Sequence, residues 1–336
     1  MSEAPFSSAR PSRPRVFVTR RLPEAVERRM GELFDVVLRA DDAPLDAAAL
    51  AEAVRDIDVL VPTITDRIDA DLIAAAGPRL TLIANFGNGV DHIDLKAARA
   101  RRIVVTNTPG ALTEDTADLA MSLILALPRR IVEGERVARS GTWAGWSPTA
   151  MLGHRIGGRT LGILGMGRIG RAVAARAKGF GVEIVYHNRR RLPEAIEAEL
   201  GATYLPSADA LMEAADIVSI HCPLTAQTHG MIDARRLGLL GADGYLVNIA
   251  RGEIVDGEAV IRALEDKVIA GAGLDVFDHA PVIDPRLIAM ENVLLLPHIA
   301  SATHEARAAQ GAKVIANIKT WADGHRPPDQ VLEGWV

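Results

Sequence analysis

Short apolar runs alternate along the chain with longer segments of helical periodicity, beginning at Val16. The segments between the first runs are rich in Ala, Asp and Glu and carry apolar residues at helical spacing. This alternation predicts βαβ units and a largely parallel sheet. The predicted strands of the first series are VFVT (16–19), DVVLR (35–39), DVLVP (58–62), LTLIAN (80–85) and IVVTN (103–107).

A second series of apolar runs follows a long segment, 112–141, whose pattern predicts a helix kinked at Pro128 and ended by Gly141. The runs are apolar at nearly every position, as strands covered on both faces are. A further helix is predicted from Ala302 to about Trp321. The predicted strands of the second series are TLGILG (160–165), EIVYHN (183–188), DIVSIH (216–221), GYLVNIA (244–250), AGAGLDVF (270–277) and NVLLLP (292–297).

The two series predict the α/β class, with two doubly wound parallel-sheet lobes and the second lobe inserted into the first. We expect a dinucleotide-binding domain of residues 112–302. The substrate domain is expected to comprise residues 15–111 and 303–336, because the last helix returns to the first lobe. Residues 1–14 are rich in Pro and Ser and are expected to form a flexible arm.

Composition limits the possible partners and compartment. The chain has 336 residues, enough for two cores, and its net charge of −5 gives no electrostatic argument for a nucleic-acid or anionic-membrane partner. The single cysteine, Cys222, excludes an intrachain disulfide and fits a reducing compartment. The first residues lack the apolar core of a secretory signal, and the most apolar window, 119–128, is too short to cross a bilayer. We therefore expect a cytoplasmic protein with no membrane partner.

A glycine-rich turn follows the first strand of the second series, in LGILGMGRIG (161–170). Gly165 permits the tight turn, Gly167 lets the backbone approach a pyrophosphate, and Gly170 allows close packing of helix on strand. The N-terminus of the next helix offers free N–H groups to an anion. The motif lies between a strand and a helix, with a second strand at the expected distance, and this context predicts a dinucleotide site.

The second strand of this series ends in VYHNRRR (185–191), where an NAD-binding protein is expected to carry an acid for the ribose 2′-OH. This chain has Asn188 there, followed by Arg189 and Arg190. A carboxylate would repel a 2′-phosphate, whereas an amide beside guanidinium groups can bind it. We therefore predict NADP (NADPH) as the cofactor. The alternative to phosphate contact is that the arginines form a solvated basic turn at the start of the next helix, and we expect this for Arg191.

Polar residues follow three further strands, at the edge where open α/β sheets bind their ligands. The segment 248–256 places Arg251 in a turn, Asp275 follows the next strand, and the segment 296–303 places His298 before the last helix. Arginine can bind a carboxylate at two points, and histidine can exchange a proton near neutral pH. Beside a nicotinamide cofactor, these residues predict hydride transfer to a 2-oxo acid. Taken alone, Arg251 is equally typical of a surface ion pair, and His298 of a satisfied loop histidine.

These motifs together resemble the D-isomer-specific 2-hydroxyacid dehydrogenase family, over residues 15–336. The ending NIKTWADGHRPPDQV (317–331) and the turn VYHNRRR make the chain most similar to the NADPH-dependent glyoxylate and hydroxypyruvate reductase branch. The motifs that carry the family resemblance are NFGNGVDHID (85–94), LGILGMGRIG (161–170), NIARGEIVDGEAV (248–260), AGLDVF (272–277) and LPHIASAT (296–303).

The resemblance implies two Rossmann-like lobes with a cleft between them and a homodimer joined through the cofactor lobe. It implies that the backbone of Gly87, Asn88 and Gly89 holds the carboxylate of the substrate. It also implies that Arg251 binds and polarises the substrate and that His298 is the catalytic acid/base. No metal is implied.

Other roles also follow from the resemblance. Asp275 is expected near the nicotinamide, where it helps set the local charge. Trp143 and Trp146 fall in a segment that contacts the partner subunit in relatives, and Trp146 is the residue expected to make that contact. The predicted cofactor-binding residues are Gly165, Gly167, Arg168, Ile169, Gly170, Asn188, Arg189, Arg190, Cys222, Pro223, Thr228, Ile249, Ala250 and Asp275.

One position departs from the family pattern. Members usually place a glutamate five residues after the aspartate of LDVF, paired with the catalytic histidine, and this chain has Ala280 there. A partner carboxylate stabilises imidazolium, so without one we expect the pKa of His298 to lie below the reference of roughly 6.5. Three outcomes follow: Asp278 or Asp284 substitutes, the histidine works unassisted and best at mildly acid pH, or catalysis is lost.

We therefore expect NADPH-dependent reduction of a small 2-oxo acid, glyoxylate or hydroxypyruvate, to the D-2-hydroxy acid, with His298 as the acid/base. The alternative is a non-catalytic NADP(H)-binding sensor or scaffold. Ala280 favours the alternative, whereas the presence of both Arg251 and His298 favours the enzyme.

Overall fold

The structure is a computed structural model that describes residues 10–332. The chain forms two compact units. The first unit comprises the described residues up to Leu112 and those from Ala302 onward, and the second comprises Thr113–Ser301. No helix within residues 10–332 has both the length and the apolar character that crossing a bilayer requires.

The N-terminal part of the first unit alternates strands and short helices around a parallel sheet. The elements are β1 (Arg15–Val18), α1 (Glu24–Leu33), β2 (Asp35–Val37), α2 (Ala47–Ala53), β3 (Val59–Val61), α3 (Ala70–Ala75), β4 (Leu82–Ala84), α4 (Leu95–Ala100) and β5 (Val104–Thr106). The strand order is β2-β1-β3-β4-β5, and every pairing is parallel. Helices α2, α3 and α4 are capped at their N-termini by Asp46, Asp69 and Asp94, whose carboxylates accept first-turn N–H groups.

The second unit contains a seven-stranded parallel sheet. Its elements are α5 (Thr113–Ala126), α6 (Ile131–Ser140), β6 (Thr160–Leu164), α7 (Arg168–Lys178), β7 (Glu183–His187), α8 (Glu194–Leu200), β8 (Ala202–Tyr204), α9 (Ala208–Ala214), β9 (Ile217–Ile220), α10 (Ala234–Leu240), β10 (Tyr245–Asn248), a 3-10 turn (Gly252–Ile254), α11 (Gly257–Glu265), β11 (Gly271–Leu274), α12 (Pro285–Ala289) and β12 (Val293–Leu295). The strand order is β12-β11-β10-β9-β6-β7-β8. The chain therefore reverses direction across the sheet between β6 and β9, where doubly wound folds bind their ligands.

The last helix, α13 (His304–Ala322), belongs to the first unit. Its residues Val314, Ile318 and Trp321 are buried in the same apolar cluster as Val18 and Met30. Of the predicted flexible arm, residues 1–9 lie outside the described part of the chain. Arg10 is bound: it donates a hydrogen bond to the carbonyl of Trp321, and its guanidinium lies 4.9 Å from the centroid of the indole ring.

The predicted α/β class with two parallel, doubly wound sheets is confirmed, and two details differ. Strand β8 was not predicted, because three residues bear no detectable period. The predicted kinked helix of 112–141 is instead two helices, since α5 ends at Ala126 and α6 begins at Ile131. Pro128 lacks the N–H that would continue the helix, and Arg130 has a left-handed backbone with φ of 53°, which separates the two helices.

Candidate functional site

The glycine turn lies at the carboxyl end of β6 and is packed against the loop after β9. Gly165 has φ of +99°, and a Cβ there would lie 2.5 Å from the backbone nitrogen of Cys222, so no other residue fits. A Cβ on Gly170 would lie 2.5 Å from the carbonyl oxygen of Gly165, which shows how closely α7 approaches the turn. The predicted turn and close packing are both present.

The first turn of α7 offers a place for an anion. Gly167 at the N-cap has no side chain to accept a hydrogen bond, and a Cβ there would meet no atom within 4 Å. The N–H groups of Arg168, Ile169 and Gly170 donate to no acceptor in residues 10–332. Arg168 is exposed, and Ile169 packs partly on the core. Free N–H groups and the helix dipole suit a pyrophosphate, so this turn fits a dinucleotide.

Asn188 connects the end of β7 to the glycine turn. Its Oδ1 accepts a hydrogen bond from the N–H of Met166 at 2.6 Å, and its Nδ2 lies 3.4 Å from the carbonyl oxygen of Met166. The amide therefore braces the turn, and no carboxylate occupies the position after β7. A 2′-phosphate at this point would meet no negative side chain from residue 188.

The three arginines after Asn188 divide into two groups. Arg191 is structural: its guanidinium binds both oxygens of Glu197, at 2.8 and 3.0 Å, and lies over the ring of Tyr204. Arg189 and Arg190 are exposed, and neither pairs with a carboxylate in the described part of the chain. Their charges are consequently available to a bound anion.

The loop after β9 also borders the glycine turn. Burial raises the pKa of the Cys222 thiol to about 11, although the nearby positive charge of Arg189 acts to lower it. The thiol therefore stays protonated and is not a nucleophile. Burial lowers the pKa of His221 to about 3, so this imidazole is neutral; its Nε2 lies 2.8 Å from Ser219 Oγ. Thr228 closes the loop by donating to the carbonyl of Pro223 at 2.7 Å.

Asn248, at the end of β10, shapes the turn that carries Arg251. Its Nδ2 donates to the carbonyl of Arg251 at 2.8 Å, and its Oδ1 accepts from the N–H of Ala250 at 3.1 Å. The guanidinium of Arg251 donates to the carbonyl of Ala250 at 2.7 Å, and Ile249 is buried in the core. A Cβ on Gly252 would lie 2.0 Å from the carbonyl carbon of Phe277, so the loops after β10 and β11 are tightly packed.

Asp275, at the end of β11, fixes the turn that carries His298. The aspartate is fully buried, and its two carboxylate oxygens accept the N–H groups of Ile299 at 2.8 Å and Ala300 at 2.9 Å. Its carbonyl accepts the N–H of His298 at 2.9 Å. Burial raises the pKa of Asp275, and these three N–H groups oppose the rise. His298 itself is exposed, with a left-handed φ of 57°.

Of the two carboxylates proposed as substitutes for the absent glutamate, Asp284 is engaged elsewhere. Asp284 caps α12 and binds the guanidinium of Arg286 at 2.9 Å, and these contacts lower its pKa. The carboxylate of Asp278 lies against Gly257, where a Cβ would be 2.5 Å from its Oδ2. The Nε2 atom of His279 lies 3.7 Å from Oδ2 of Asp278, and Ala280 lies in an exposed turn.

In the first unit, the predicted carboxylate-binding segment has an unusual pattern of hydrogen bonds. The N–H groups of Gly87, Asn88 and Gly89 donate to no acceptor in residues 10–332. Their carbonyls, in contrast, are all held. Asn85 Nδ2 donates to Gly87 at 3.1 Å and to Gly89 at 2.8 Å, and Asn107 Nδ2 donates to Asn88 at 2.7 Å.

The side chain of Asn88 differs from its two neighbours. Asn85 and Asn107 are buried and use their amides to fix the segment, and Asn85 Oδ1 also contacts His92 Nε2 at 3.1 Å. Asn88 Oδ1 is buried as well, yet no donor reaches it in the part of the chain that the structure describes. A buried, unsatisfied acceptor costs about 1–3 kcal/mol. Such a group is uncommon enough to require an explanation.

Sequence interpretation missed the asparagines that hold these loops. Asn85, Asn107 and Asn248 each follow or end an apolar strand directly, and this position was the available signal. Residues 10–332 contain no group of three or more His, Cys, Asp or Glu side chains able to hold a metal ion. Trp143 and Trp146 lie between α6 and β6 and are 65% and 84% exposed.

Comparison with known proteins adds relatives of known activity. Residues 121–300 match the family model described as D-isomer specific 2-hydroxyacid dehydrogenase, NAD binding domain. A glyoxylate reductase from Thermococcus litoralis is 45% identical over 323 residues, which are 95% of this chain and 97% of the relative. One from Korarchaeum cryptofilum is 47% identical over 321 residues, 95% of this chain and 96% of the relative. A solved structure of an NADPH-dependent glyoxylate/hydroxypyruvate reductase from Sinorhizobium meliloti, in complex with NADP and malonate, is 39% identical, with a TM-score of 0.86 over 96% of this chain and 98% of that one.

Proposed function

This chain belongs to the D-isomer specific 2-hydroxyacid dehydrogenase family and is a 2-hydroxyacid dehydrogenase, and we propose that it reduces glyoxylate or hydroxypyruvate to the D-2-hydroxy acid with NADPH. The observation that carries the proposal is the order of polar groups along the second sheet. Three neighbouring strands, β10, β11 and β12, deliver Arg251, Asp275 and His298 to the carboxyl edge where the glycine turn also lies.

Each residue has a defined part in the proposed reaction. When bound, the reduced nicotinamide supplies the hydride that C2 of the substrate accepts. Arg251 binds the substrate and polarises its C2 carbonyl, because a fixed guanidinium stabilises charge that develops on oxygen. His298 donates the proton that the oxygen needs, since an imidazole titrates close to neutral pH. Asp275 acts on His298 through the backbone, by holding the turn in place.

The free N–H groups of Gly87, Asn88 and Gly89 are proposed to bind the substrate carboxylate. Three N–H donors on consecutive residues suit an anion. The side-chain amides of Asn85 and Asn107 bind the carbonyls of the same three residues and so keep the N–H groups oriented. This arrangement is pre-formed, so the segment loses little conformational entropy when the substrate binds.

NADPH is proposed over NADH because of the turn after β7. Asn188 is uncharged, and Arg189 and Arg190 have no carboxylate partner in residues 10–332. The first turn of α7 and the glycine turn would hold the pyrophosphate, with the loops after β9 and β10 beside it. The NADP-bound reductase from Sinorhizobium meliloti supports the same preference by similarity.

A homodimer is also proposed. Trp143 and Trp146 are large apolar side chains with more than half of their surface exposed, and such groups are typical of a buried interface. Sedimentation of wild type and of a Trp143→Ser/Trp146→Ser variant tests this proposal. The expected result is a dimer that weakens in the variant, whereas a monomeric wild type would refute it.

The activity is tested by NADPH consumption with glyoxylate and hydroxypyruvate from about pH 5 to 8, the range in which histidine titrates. We expect turnover in wild type and a loss of at least about a hundredfold in His298→Asn, in keeping with general acid catalysis. Tight NADPH binding with no turnover of either acid would refute the proposed reaction. That outcome would favour the sensor, which the similarity to glyoxylate reductases does not favour.

A further inference from the structure

The side chain of Asn88 has no task within the protein that the structure shows. The amides of its neighbours Asn85 and Asn107 donate to the carbonyls of the segment 87–89. Asn88 contributes only its backbone to that arrangement, and its Oδ1 is a buried acceptor that no donor reaches in residues 10–332. Buried acceptors in folded proteins are almost always satisfied, so a ligand donor is the simplest partner for this one.

The chemistry of the substrate narrows the choice of donor. At neutral pH the carboxylate and the C2 carbonyl of a 2-oxo acid have lone pairs but no hydrogen to donate. The backbone N–H groups of the same segment are already assigned to the carboxylate, and the C2 oxygen is assigned to Arg251 and His298. A hydroxyl group on C3 is the donor that remains in a small 2-oxo acid. Hydroxypyruvate carries this group, whereas glyoxylate and pyruvate do not.

We propose that Asn88 Oδ1 accepts a hydrogen bond from the C3 hydroxyl of the substrate, which makes the enzyme selective for 3-hydroxy-2-oxo acids. The inference rests on the proposed function, because it requires the segment 87–89 to bind the substrate carboxylate. Asn88 is thus a specificity residue, and Asn85 and Asn107 are positioning residues. The selectivity arises because an analogue without the hydroxyl leaves a buried acceptor unpaired.

The experiment compares hydroxypyruvate with pyruvate, which differ only in the C3 hydroxyl. Values of kcat/KM are measured with NADPH for wild type, for Asn88→Leu, which keeps the approximate shape and removes the acceptor, and for Asn107→Leu. We expect wild type to prefer hydroxypyruvate by at least about a hundredfold, since sites built to bind a hydroxyl reject analogues that lack it. In Asn88→Leu the ratio of the two values should fall at least about tenfold.

Asn107→Leu provides the matched control, because its amide also belongs to the segment but binds a carbonyl of the protein. It should lower both values together and leave their ratio unchanged. Thermal unfolding of Asn88→Leu shows whether the variant is folded. The affinities for D-glycerate and D-lactate, which also differ only in the C3 hydroxyl, are measured by calorimetry and give the same comparison without turnover.

The possible failures are distinguishable. A wild type that reduces none of the 2-oxo acids refutes the proposed function and this inference with it. A wild type that reduces pyruvate as well as hydroxypyruvate, or a ratio that Asn88→Leu leaves unchanged, refutes the inference alone. A uniform loss in folded Asn88→Leu, like that of Asn107→Leu, also refutes it, because Asn88 would then serve only to shape the segment.

Discussion

Asp275 fixes the backbone of the turn that carries His298 by accepting three backbone hydrogen bonds. Both carboxylate oxygens accept N–H groups of the two residues that follow His298, and the carbonyl accepts the N–H of His298 itself. The left-handed conformation of His298 costs roughly 1–2 kcal/mol. Each hydrogen bond to a charged acceptor contributes about 1.5–3 kcal/mol, so Asp275 outweighs that cost.

Replacing Asp275 with Asn should therefore loosen the catalytic turn. One oxygen remains to accept, and the new NH2 group faces a backbone donor, so one buried N–H loses its partner. We expect the free energy of unfolding to fall by about 1–3 kcal/mol. We also expect kcat/KM to fall at least about tenfold, equivalent to about 1.4 kcal/mol. Urea unfolding and NADPH oxidation measure the two effects.

The matched control is Asp278→Asn, three residues further along the chain. The carboxylate of Asp278 is exposed and accepts no backbone N–H of residues 10–332, so this variant should behave like wild type in both assays. A neutral effect of Asp275→Asn on turnover would show that the turn does not depend on the carboxylate.

Cofactor choice should depend on two of the three consecutive arginines. Removing Arg189 and Arg190 together takes away two charge-assisted contacts to a 2′-phosphate, each worth about 1.5–3 kcal/mol. We expect the Kd of NADPH to rise by at least about a hundredfold, while the Kd of NADH changes little. Fluorescence titration of both nucleotides measures the ratio.

Arg191→Ala is the matched control for this prediction. Arg191 is held by Glu197 and Tyr204, so its removal should lower stability and leave the NADPH-to-NADH ratio unchanged. An unchanged ratio in the double variant would contradict the proposed preference for NADPH.

The fold was predictable because its strands are covered on both faces and are separated by helices of clear period. Fully buried runs such as those of β3 and β10 are easily recognised. The break between α5 and α6 was not, because apolar residues continue past Pro128 and conceal the end of the first helix. Strand β8 was not predicted because it has only three residues, too few to show a period.

The positions of the candidate site residues at strand ends were predictable, but their mutual contacts were not. The sequence placed Arg251, Asp275 and His298 after successive buried strands, and the structure brings them to neighbouring strands of one sheet. Nothing in the pattern indicated that Asp275 would bind the backbone of residues 299 and 300, or that His298 would be left-handed. Such details depend on packing between loops that are distant in sequence, and their catalytic roles stay predictions.

The stability of the protein in acid should depend on the ion pair between Glu258 of α11 and Arg286 of α12. Glu258 accepts from Arg286 at 2.7 Å and from Arg262 at 2.8 Å, and these guanidinium groups lower its pKa from 4.5 to about 2. A lowered pKa in the folded state stabilises the protein above the unfolded pKa and loses this effect as pH falls. Glu258→Gln should therefore be less stable than wild type at pH 7, and the difference should vanish between about pH 4.5 and 2.

Urea unfolding at a series of pH values measures that difference. Glu265→Gln, on the same helix but without an ion pair in the described residues, should match wild type throughout. High salt should reduce the effect of Glu258→Gln, because screening weakens exposed pairs. A difference that persists unchanged at pH 2 would mean that the side chain stabilises the helix by some means other than its charge.

Restoring a carboxylate at position 280 should extend activity to higher pH. Ala280 lies in an exposed turn, and Asp284 is bound to Arg286. An added glutamate would stabilise the protonated imidazole of His298, so the decline of kcat/KM with rising pH should move upward by about one pH unit or more in Ala280→Glu. Ala280→Gln has nearly the same shape without the charge and should keep the wild-type profile. If both variants gave the wild-type profile, a carboxylate at position 280 would not control the protonation of His298.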